Sequence, residues 1–326
     1  MKFLVTGGTG YIGSACIRRL LGEGHEVRAT TRNMALAKKI TDYWHKSNVQ
    51  VSNLSWHELD LLNENGWKSV VDGCDIVLHV ASPVPKSLNV GFEELVVPAA
   101  KGVDVIMTNV AGSTVKRVVL TSSIAAIRNS IMPMKSYDHT SWSDLSNSNI
   151  SSYAFSKTYA EMLAWRHKSL SKAMPELVAI HPGFVIGAPA FPEARSASVN
   201  MVKRILNAKF PLVMPLYFNM VALDDVVDLH LASALASAVD RQRFPCCGDA
   251  VSIPEICNWL YEAGLLKKRY SFNCPKLLVP KKYSVFFNDN VHINCENSIS
   301  QLGWKQSSIK KAIIGMAKYI RNNELN

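Results

Sequence analysis

Met1-Lys-Phe-Leu-Val-Thr-Gly-Gly-Thr-Gly-Tyr-Ile-Gly13 opens the chain, and the reading of this stretch decides the fold class. An apolar run, Phe3 to Val5, ends in Gly7, Gly10 and Gly13, and Ile12, Ile17, Leu20 and Leu21 then recur on one helical face. That order reads as strand, tight turn, helix. Glycine takes positive φ and lets the backbone approach a ligand closely. The following helix N-terminus offers unpaired N–H groups and a positive dipole end to an anion. The anion expected at such a turn is the pyrophosphate of a dinucleotide.

Working outward, strand patterns fall at Lys2–Thr6, Glu26–Thr31, Val49–Ser52, Ile76–Val80, Arg117–Ser122 and Leu177–His181. Helical patterns lie between them at Ser14–Leu21, Met34–Ile40, Trp67–Val71, Phe92–Asn109 and Tyr153–Lys172. Alternation of this kind predicts an α/β protein with a doubly wound parallel sheet, covered on both faces by right-handed crossovers. Ligands of such sheets bind beyond the carboxyl ends of the strands. After residue 183 prolines cluster and the elements shorten. Residues 1–183 and 221–243 are therefore read as the dinucleotide-binding domain, and 184–220 with 244–326 as a smaller substrate-binding region.

Composition narrows the classes. The chain has 326 residues, 48% of them hydrophobic, enough for a sizeable core. Its longest apolar-rich region, Met220 to Val239, is broken by Asp224, Asp225 and Asp228, so no membrane span is expected. A first strand at residue 2 is read as leaving no room for a signal peptide, and a cytoplasmic location is expected. The 7 cysteines show no Cys-x-x-Cys spacing, which fits reduced thiols rather than a disulfide framework. Cys246 and Cys247 are expected to be half-buried in a strand. No His/Cys/Asp cluster has metal-ligand spacing, and no metal is expected. The net charge of +10 is scattered and not interleaved with aromatics, so nucleic acid is not an expected partner.

Tyr153-Ala-Phe-Ser-Lys157 supplies candidate chemistry. Residues i and i+4 share a helix face, so phenol and ammonium can converge. A nearby cation is expected to lower the tyrosine pKa, and such a tyrosine can protonate a carbonyl oxygen. Upstream, the strand Arg117–Ser122 ends in Thr121-Ser122-Ser123, where a hydroxyl could hold that carbonyl, or could instead cap local backbone.

The order Gly7-x-x-Gly10-x-x-Gly13, Ser123 and Tyr153-x-x-x-Lys157 resembles the extended short-chain dehydrogenase/reductase superfamily over most of residues 1–235. Val27-Arg-Ala-Thr-Thr-Arg32, His79-Val-Ala-Ser-Pro83, Tyr137-Asp-x-x-x-Trp142-Ser-Asp144, Ser156-Lys-Thr-x-Ala-Glu161 and Leu223-Asp-Asp225 with His230 are similar to its dihydroflavonol reductase-like and cinnamoyl-CoA reductase-like group. The resemblance implies that Ser123 hydrogen-bonds the substrate carbonyl, Tyr153 donates the proton, and Lys157 holds the ribose hydroxyls and tunes Tyr153. It also implies a dinucleotide lined by Gly7, Thr9, Gly10, Tyr11, Ile12 and Gly13. Asp60 and Leu61 would lie at the adenine, and Val80, Ala81, Ser82 and Thr121 along the strand ends. Pro182, Gly183 and Val185 would lie beside the nicotinamide.

Cofactor choice has a physical basis. NAD-selecting enzymes often place an acid on the ribose 2′-hydroxyl about twenty residues after the glycines. Arg32 stands there instead, followed by Lys38 and Lys39. Cations at that place would pair with a 2′-phosphate, favouring NADP(H). Glu26, at the start of the strand, is too distant to compete. Two departures qualify the resemblance. Lys101-Gly102 stands where the superfamily often has Asn-Gly. Arg128 stands where plant dihydroflavonol reductases carry an asparagine that contacts the flavonoid, so a flavonoid substrate is not assumed. His79, His181 and His230 sit in apolar segments and read as packed or hydrogen-bonded.

The leading expectation is an NADPH-dependent reduction of an aldehyde or ketone by a monomer or homodimer, with loops near 128–136 and 191–220 shaping the pocket. A sugar-nucleotide epimerase or dehydratase, or a hydroxysteroid dehydrogenase/isomerase, shares the Tyr/Lys chemistry. A non-catalytic NADP-binding sensor is the reading of another class.

Overall fold

The computed structural model describes residues 1–82, 91–128, 136–207, 214–267 and 291–324. Cys274, Pro83 and parts of both expected pocket loops lie outside the described residues. Through the first half the elements alternate: β1 (Lys2–Thr6), α1 (Tyr11–Gly22), β2 (Glu26–Thr31), α2 (Met34–Lys46), β3 (Leu54–Glu58), α3 (Trp67–Val71), β4 (Ile76–His79), α4 (Phe92–Val110) and β5 (Arg117–Thr121). A 3₁₀ turn at Ile124–Ala126, then β6 (Ser136–Tyr137), α5 (Ser152–Leu170) and β7 (Glu176–Pro182) follow. Next come β8 (Phe184–Ile186), α6 (Ala197–Leu206), β9 (Tyr217–Ala222), α7 (Leu223–Leu235) and β10 (Gln242–Cys246). The chain continues through β11 (Ala250–Ser252), α8 (Ile253–Glu262), β12 (His292–Ile293), α9 (Glu296–Leu302) and α10 (Ile309–Glu324).

The expected doubly wound sheet forms: 7 strands in the order β3-β2-β1-β4-β5-β7-β10, all neighbours parallel. Strand alternation assigns residues to its two faces. Phe3, Val5, Ile76, Leu78, Val119, Val178 and Ile180 face the core shared with α1, α2 and α7. Leu4, Val77, Val118, Leu120 and Leu177 face the other, with α3, α4 and α5. Chain order reverses between β1 and β4, so the crevice of an open α/β sheet opens where Gly7 and Ala81 meet. A 3-stranded sheet, β11-β9-β8, stands beyond the end of β7, and α6, α8 and α10 extend the first core beneath it. Among the described residues, no helix is long and apolar enough to cross a membrane.

Four local expectations are corrected. The third strand is Leu54–Glu58, not Val49–Ser52. Val49 instead closes the end of α2, its N–H donating to the Trp44 carbonyl at 2.9 Å. The true strand is an edge strand of half-buried and exposed residues, so its apolar pattern is weak. The first helix starts at Tyr11, because Gly10 caps it, and α2 runs on to Lys46 so that Trp44 is buried. Cys246 and Cys247 are fully buried, and Cys247 lies beyond the strand, its N–H directed at the Cys295 sulfur at 3.5 Å.

The C-terminal segment is fastened to the sheet through α7. Trp304 is buried and its indole N–H donates to the Asp225 carbonyl oxygen at 3.0 Å. The Asp225 carboxylate accepts from the Ser307 N–H at 2.7 Å and hydroxyl at 2.6 Å. Trp304→Ala is expected to cost about 3–5 kcal/mol through the cavity it leaves. Urea denaturation should show that loss as a lower midpoint at unchanged slope.

Candidate active site

The glycine turn is built as a cradle. Gly7 has φ +67°, and a Cβ there would come 2.9 Å from the Cα of Ala81 on the next strand end. A Cβ on Gly13 would collide with the Gly7 carbonyl oxygen, so only glycine lets α1 start this close beneath the turn. Gly10 closes the loop, its N–H donating to the Gly7 carbonyl at 2.8 Å. The N–H groups of the first helical turn, Tyr11 to Gly13, have no partner in the helix ladder, the condition for holding an anion.

Around the cradle the other candidate residues divide. Thr9 lies 3.4 Å, hydroxyl to hydroxyl, from Thr31, the last residue of β2, which places the turn beside Arg32. Arg32, Lys38 and Lys39 are exposed there, whereas Glu26 is at the far end of β2, paired with Lys2 at 2.8 Å. Tyr11 is a correction to the expected set as far as its side chain goes: the phenol is buried and donates to the Gly187 carbonyl at 2.6 Å. Only its backbone remains to face a ligand. Asp60 uses its carboxylate to accept from the Leu62 N–H at 3.0 Å, and Leu61 packs over Gly102. Lys101 points elsewhere, its ammonium 3.8 Å from Glu64. Val80, Ala81 and Ser82 are half-buried after β4, and the Ala81 N–H donates to the Thr6 hydroxyl at 3.0 Å. Pro182 is buried, while Gly183 and Val185 are half-buried at the turn from β7 into β8.

Ser123, Tyr153 and Lys157 come together at the carboxyl end of β5. Ser151 caps α5 by accepting from the Ala154 N–H at 3.1 Å, which starts the helix just ahead of Tyr153. Burial raises the Tyr153 pKa, and the Ser123 hydroxyl facing the phenol offsets part of that rise. The expected lowering by Lys157 is therefore not what the environment imposes. The Lys157 ammonium is turned down to the Thr121 carbonyl, at 3.1 Å. Burial pushes Lys157 down to about 8, and the Glu161 carboxylate keeps it from falling further. Ser123 also caps the 3₁₀ turn, accepting from the Ala125 N–H at 3.1 Å.

Sequence reasoning gave Glu161 no role, and it organises the floor of the site. Its carboxylate is buried and accepts from the Ser122 hydroxyl at 2.6 Å, the Trp165 indole at 3.1 Å and the Arg243 Nε at 2.7 Å. His181 Nε2 completes the set at 2.7 Å. Those cationic and hydrogen-bonding partners overcome burial and hold the carboxyl far below its usual range. Arg243 is pinned further by donating to the His139 and Ser141 carbonyls at 2.7 and 2.6 Å and by lying 3.8 Å over the Trp142 ring. The signal available in sequence was spacing: Tyr153, Lys157 and Glu161 repeat every four residues on one face of α5. Nothing local pointed to Arg243.

Two histidines line the back wall as neutral groups. His230 Nδ1 donates to the Val226 carbonyl at 2.7 Å, so its Nε2 accepts from the Thr121 hydroxyl at 2.8 Å. Burial lowers His230 to about 4, and burial plus the Lys157 charge lowers His79 to about 3.

Residues 3–241 match the NAD dependent epimerase/dehydratase family. Cinnamoyl-CoA reductase CAD2 of Medicago truncatula is 36% identical over 287 residues, covering 85% of this chain and 82% of its own. Tetraketide alpha-pyrone reductase 1 of Arabidopsis thaliana is 29% identical over 316 residues, covering 95% and 92%. The crystal structure of yeast methylglyoxal/isovaleraldehyde reductase Gre2 complexed with NADPH superposes with a TM-score of 0.80 at 22% identity, covering 99% of this chain and 98% of that one. The chain belongs to the NAD dependent epimerase/dehydratase family of extended short-chain dehydrogenase/reductases, in the group of dihydroflavonol and cinnamoyl-CoA reductase relatives.

The buried charges set an acid dependence. His79 and His230 have folded pKa values depressed below 6.5, so their neutral burial is stabilising above pH 6.5 and becomes a liability as pH falls through 6.5 toward about 4. Glu161, depressed below 4.5, adds stability present above that pH and lost below it. The thermal midpoint should therefore drop between pH 7 and 5 and drop again below 4.5; a flat midpoint from pH 7 to 4 would contradict this assignment. Glu161→Gln should cost about 3–5 kcal/mol at pH 7 by leaving the Arg243 guanidinium buried without its counter-charge, measurable by urea denaturation.

Proposed function

We propose that the protein is an NADP(H)-dependent reductase that converts an aldehyde or ketone to the alcohol. The observation that carries this reading is the Ser123 hydroxyl facing the Tyr153 phenol at the carboxyl end of β5, with Lys157 one helical turn beyond it. The cradle fits the dinucleotide: Gly7, Gly10 and Gly13 leave the room a Cβ would fill, and α1 presents its N-terminus there. Arg32, Lys38 and Lys39 supply cations for a 2′-phosphate where an acid would select NAD. The NADPH complex of Gre2 supports the same choice.

The cradle of Gly7, Gly10 and Gly13 would hold NADPH, which would supply the hydride for the carbonyl carbon. Ser123 donates a hydrogen bond that orients the carbonyl oxygen toward Tyr153. Burial keeps the Tyr153 phenol protonated at neutral pH, the state a proton donor requires. Lys157 spends one donor on the Thr121 carbonyl and has others for the ribose hydroxyls and the phenol oxygen. The elevated Tyr153 pKa favours reduction; alcohol oxidation, which needs the phenolate as base, is pushed to alkaline pH. Residues 184–220 and 244–326 form the substrate-binding region in this reading. A cytoplasmic location fits the free thiols of the six described cysteines.

Steady-state assays with a panel of aldehydes and ketones test it. Tyr153→Phe should lower kcat by about 10²–10⁴-fold. Arg32→Ala should raise KM for NADPH about 10-fold or more, the value of a charged hydrogen bond, with little effect on NADH. The alkaline limb of kcat/KM should lie near pH 8, where Lys157 of the free protein loses its proton, and should move to lower pH in Glu161→Gln. Absence of turnover with every carbonyl would overturn the reductase reading.

A further inference from the structure

Arg128 is a half-buried cation that the fold positions without a carboxylate partner among the described residues. It follows the 3₁₀ turn that Ser123 caps, its N–H donating to the Ile124 carbonyl at 3.1 Å. Its guanidinium Nη1 donates to the Asn219 side-chain oxygen at 2.9 Å. Asn219 is buried on β9, and its amide nitrogen donates to the Gly248 and Val291 carbonyls, each at 3.1 Å. Both amide hydrogens are thus committed, and the amide oxygen can only be offered to Arg128. The backbone of Asn219 packs on Gly183, where a Cβ would also lie 2.6 Å from the Cys247 Cβ. Gly183 follows β7, which pairs with β5 up to Thr121, just before Ser123. The guanidinium is therefore held on the substrate side of the same strand ends that carry the catalytic hydroxyls.

Arg128 is half-buried, and its pairing differs from that of the two buried arginines among the described residues. Arg117 meets Glu176, and Arg243 meets Glu161 at 2.7 Å. Among the described residues, Arg128 has no carboxylate partner; Cys247 and Tyr137 are the ionisable groups acting on it, and burial lowers its pKa. A guanidinium carries five N–H donors in a planar fork that matches a carboxylate. One is used.

We propose that Arg128 is an anion site of the substrate pocket, and that the substrate is an oxo acid whose carboxylate pairs with this guanidinium while its aldehyde or ketone carbonyl reaches Ser123 and Tyr153. The placing of the carbonyl rests on the reductase reading above; the anion site does not. The carboxylate fixes which end of the substrate enters, and a carbonyl compound lacking it leaves the guanidinium desolvated without a counter-charge from the substrate.

The test compares matched acids and methyl esters: 4-oxobutanoate, 5-oxopentanoate and 4-carboxybenzaldehyde, each against its ester, in the wild type, Arg128→Gln and Arg128→Lys. For at least one pair, kcat/KM with NADPH should favour the acid by about 10-fold or more in the wild type. The acid-to-ester ratio should fall about 10- to 100-fold in Arg128→Gln, chiefly through KM, with partial rescue in Arg128→Lys, which restores charge but not the fork. A ratio that is the same in wild type and Arg128→Gln overturns the proposal. Calorimetric titration of the NADP⁺-loaded protein, which has no hydride to give, with the same acids and esters reads the anion site without turnover. Tighter acid binding that is lost in Arg128→Gln sustains the site even if no carbonyl is reduced, and equal affinities overturn it. Thermal stability closes the remaining route: the Gln amide can still donate to the Asn219 side-chain oxygen, so Arg128→Gln should leave the midpoint near that of the wild type, whereas a large drop would reveal a structural carboxylate partner and overturn the assignment.

Discussion

A carboxylate without access to water, Glu161, is the constraint on which the rest of the site depends. Removing an ion from water costs several kcal/mol unless its partners are well placed. Here they come from separate parts of the chain: Ser122 after β5, Trp165 one turn on in α5, His181 in β7 and Arg243 in β10. Satisfying one carboxylate therefore fixes α5 against the ends of three neighbouring strands. Because Tyr153 and Lys157 ride on α5, their depth and orientation are set from below by Glu161.

Arg243 carries that constraint outward. One guanidinium nitrogen reaches the Glu161 carboxylate, another holds the His139 and Ser141 carbonyls, and the Arg243 carbonyl accepts from Asn297 in α9 at 2.8 Å. The loop before α5 and the helix after β12 are thus tied to the edge of the sheet that completes the site. The charge arrangement is economical. The Glu161 anion supports a lysine whose burial would otherwise discharge it, while the neighbouring His79 and His230 stay neutral beside that cation. The phenol of Tyr153 is left protonated, facing Ser123.

Some of this is legible in the amino-acid sequence alone. The glycine spacing fixed the first turn because a Cβ at Gly7 or Gly13 has no room, and steric exclusion of that kind leaves a mark in sequence. The large sheet was legible because buried parallel strands such as Ile76–His79 and Arg117–Thr121 are apolar on both faces. The edge strand Leu54–Glu58 was not, because a strand with an exposed side carries no such run. Tyr11 looked like part of the ligand turn by position, yet its side chain serves the Gly187 carbonyl, a partner far away in sequence.

The sequence by itself determined the strand-turn-helix that begins the fold and the parallel sheet, since both follow from periodicity and short spacing, while Ser123, Tyr153 and Lys157 were singled out by the resemblance of their order to a known superfamily. Only the tertiary structure decided which serine faces Tyr153 and which is committed to Glu161, that Arg243 neutralises that carboxylate, and that the Asn219 amide holds Arg128. The physical reason is the same in each case. Backbone geometry and helix faces are local properties of the chain, whereas the energy of a buried charge depends on the groups folding brings around it.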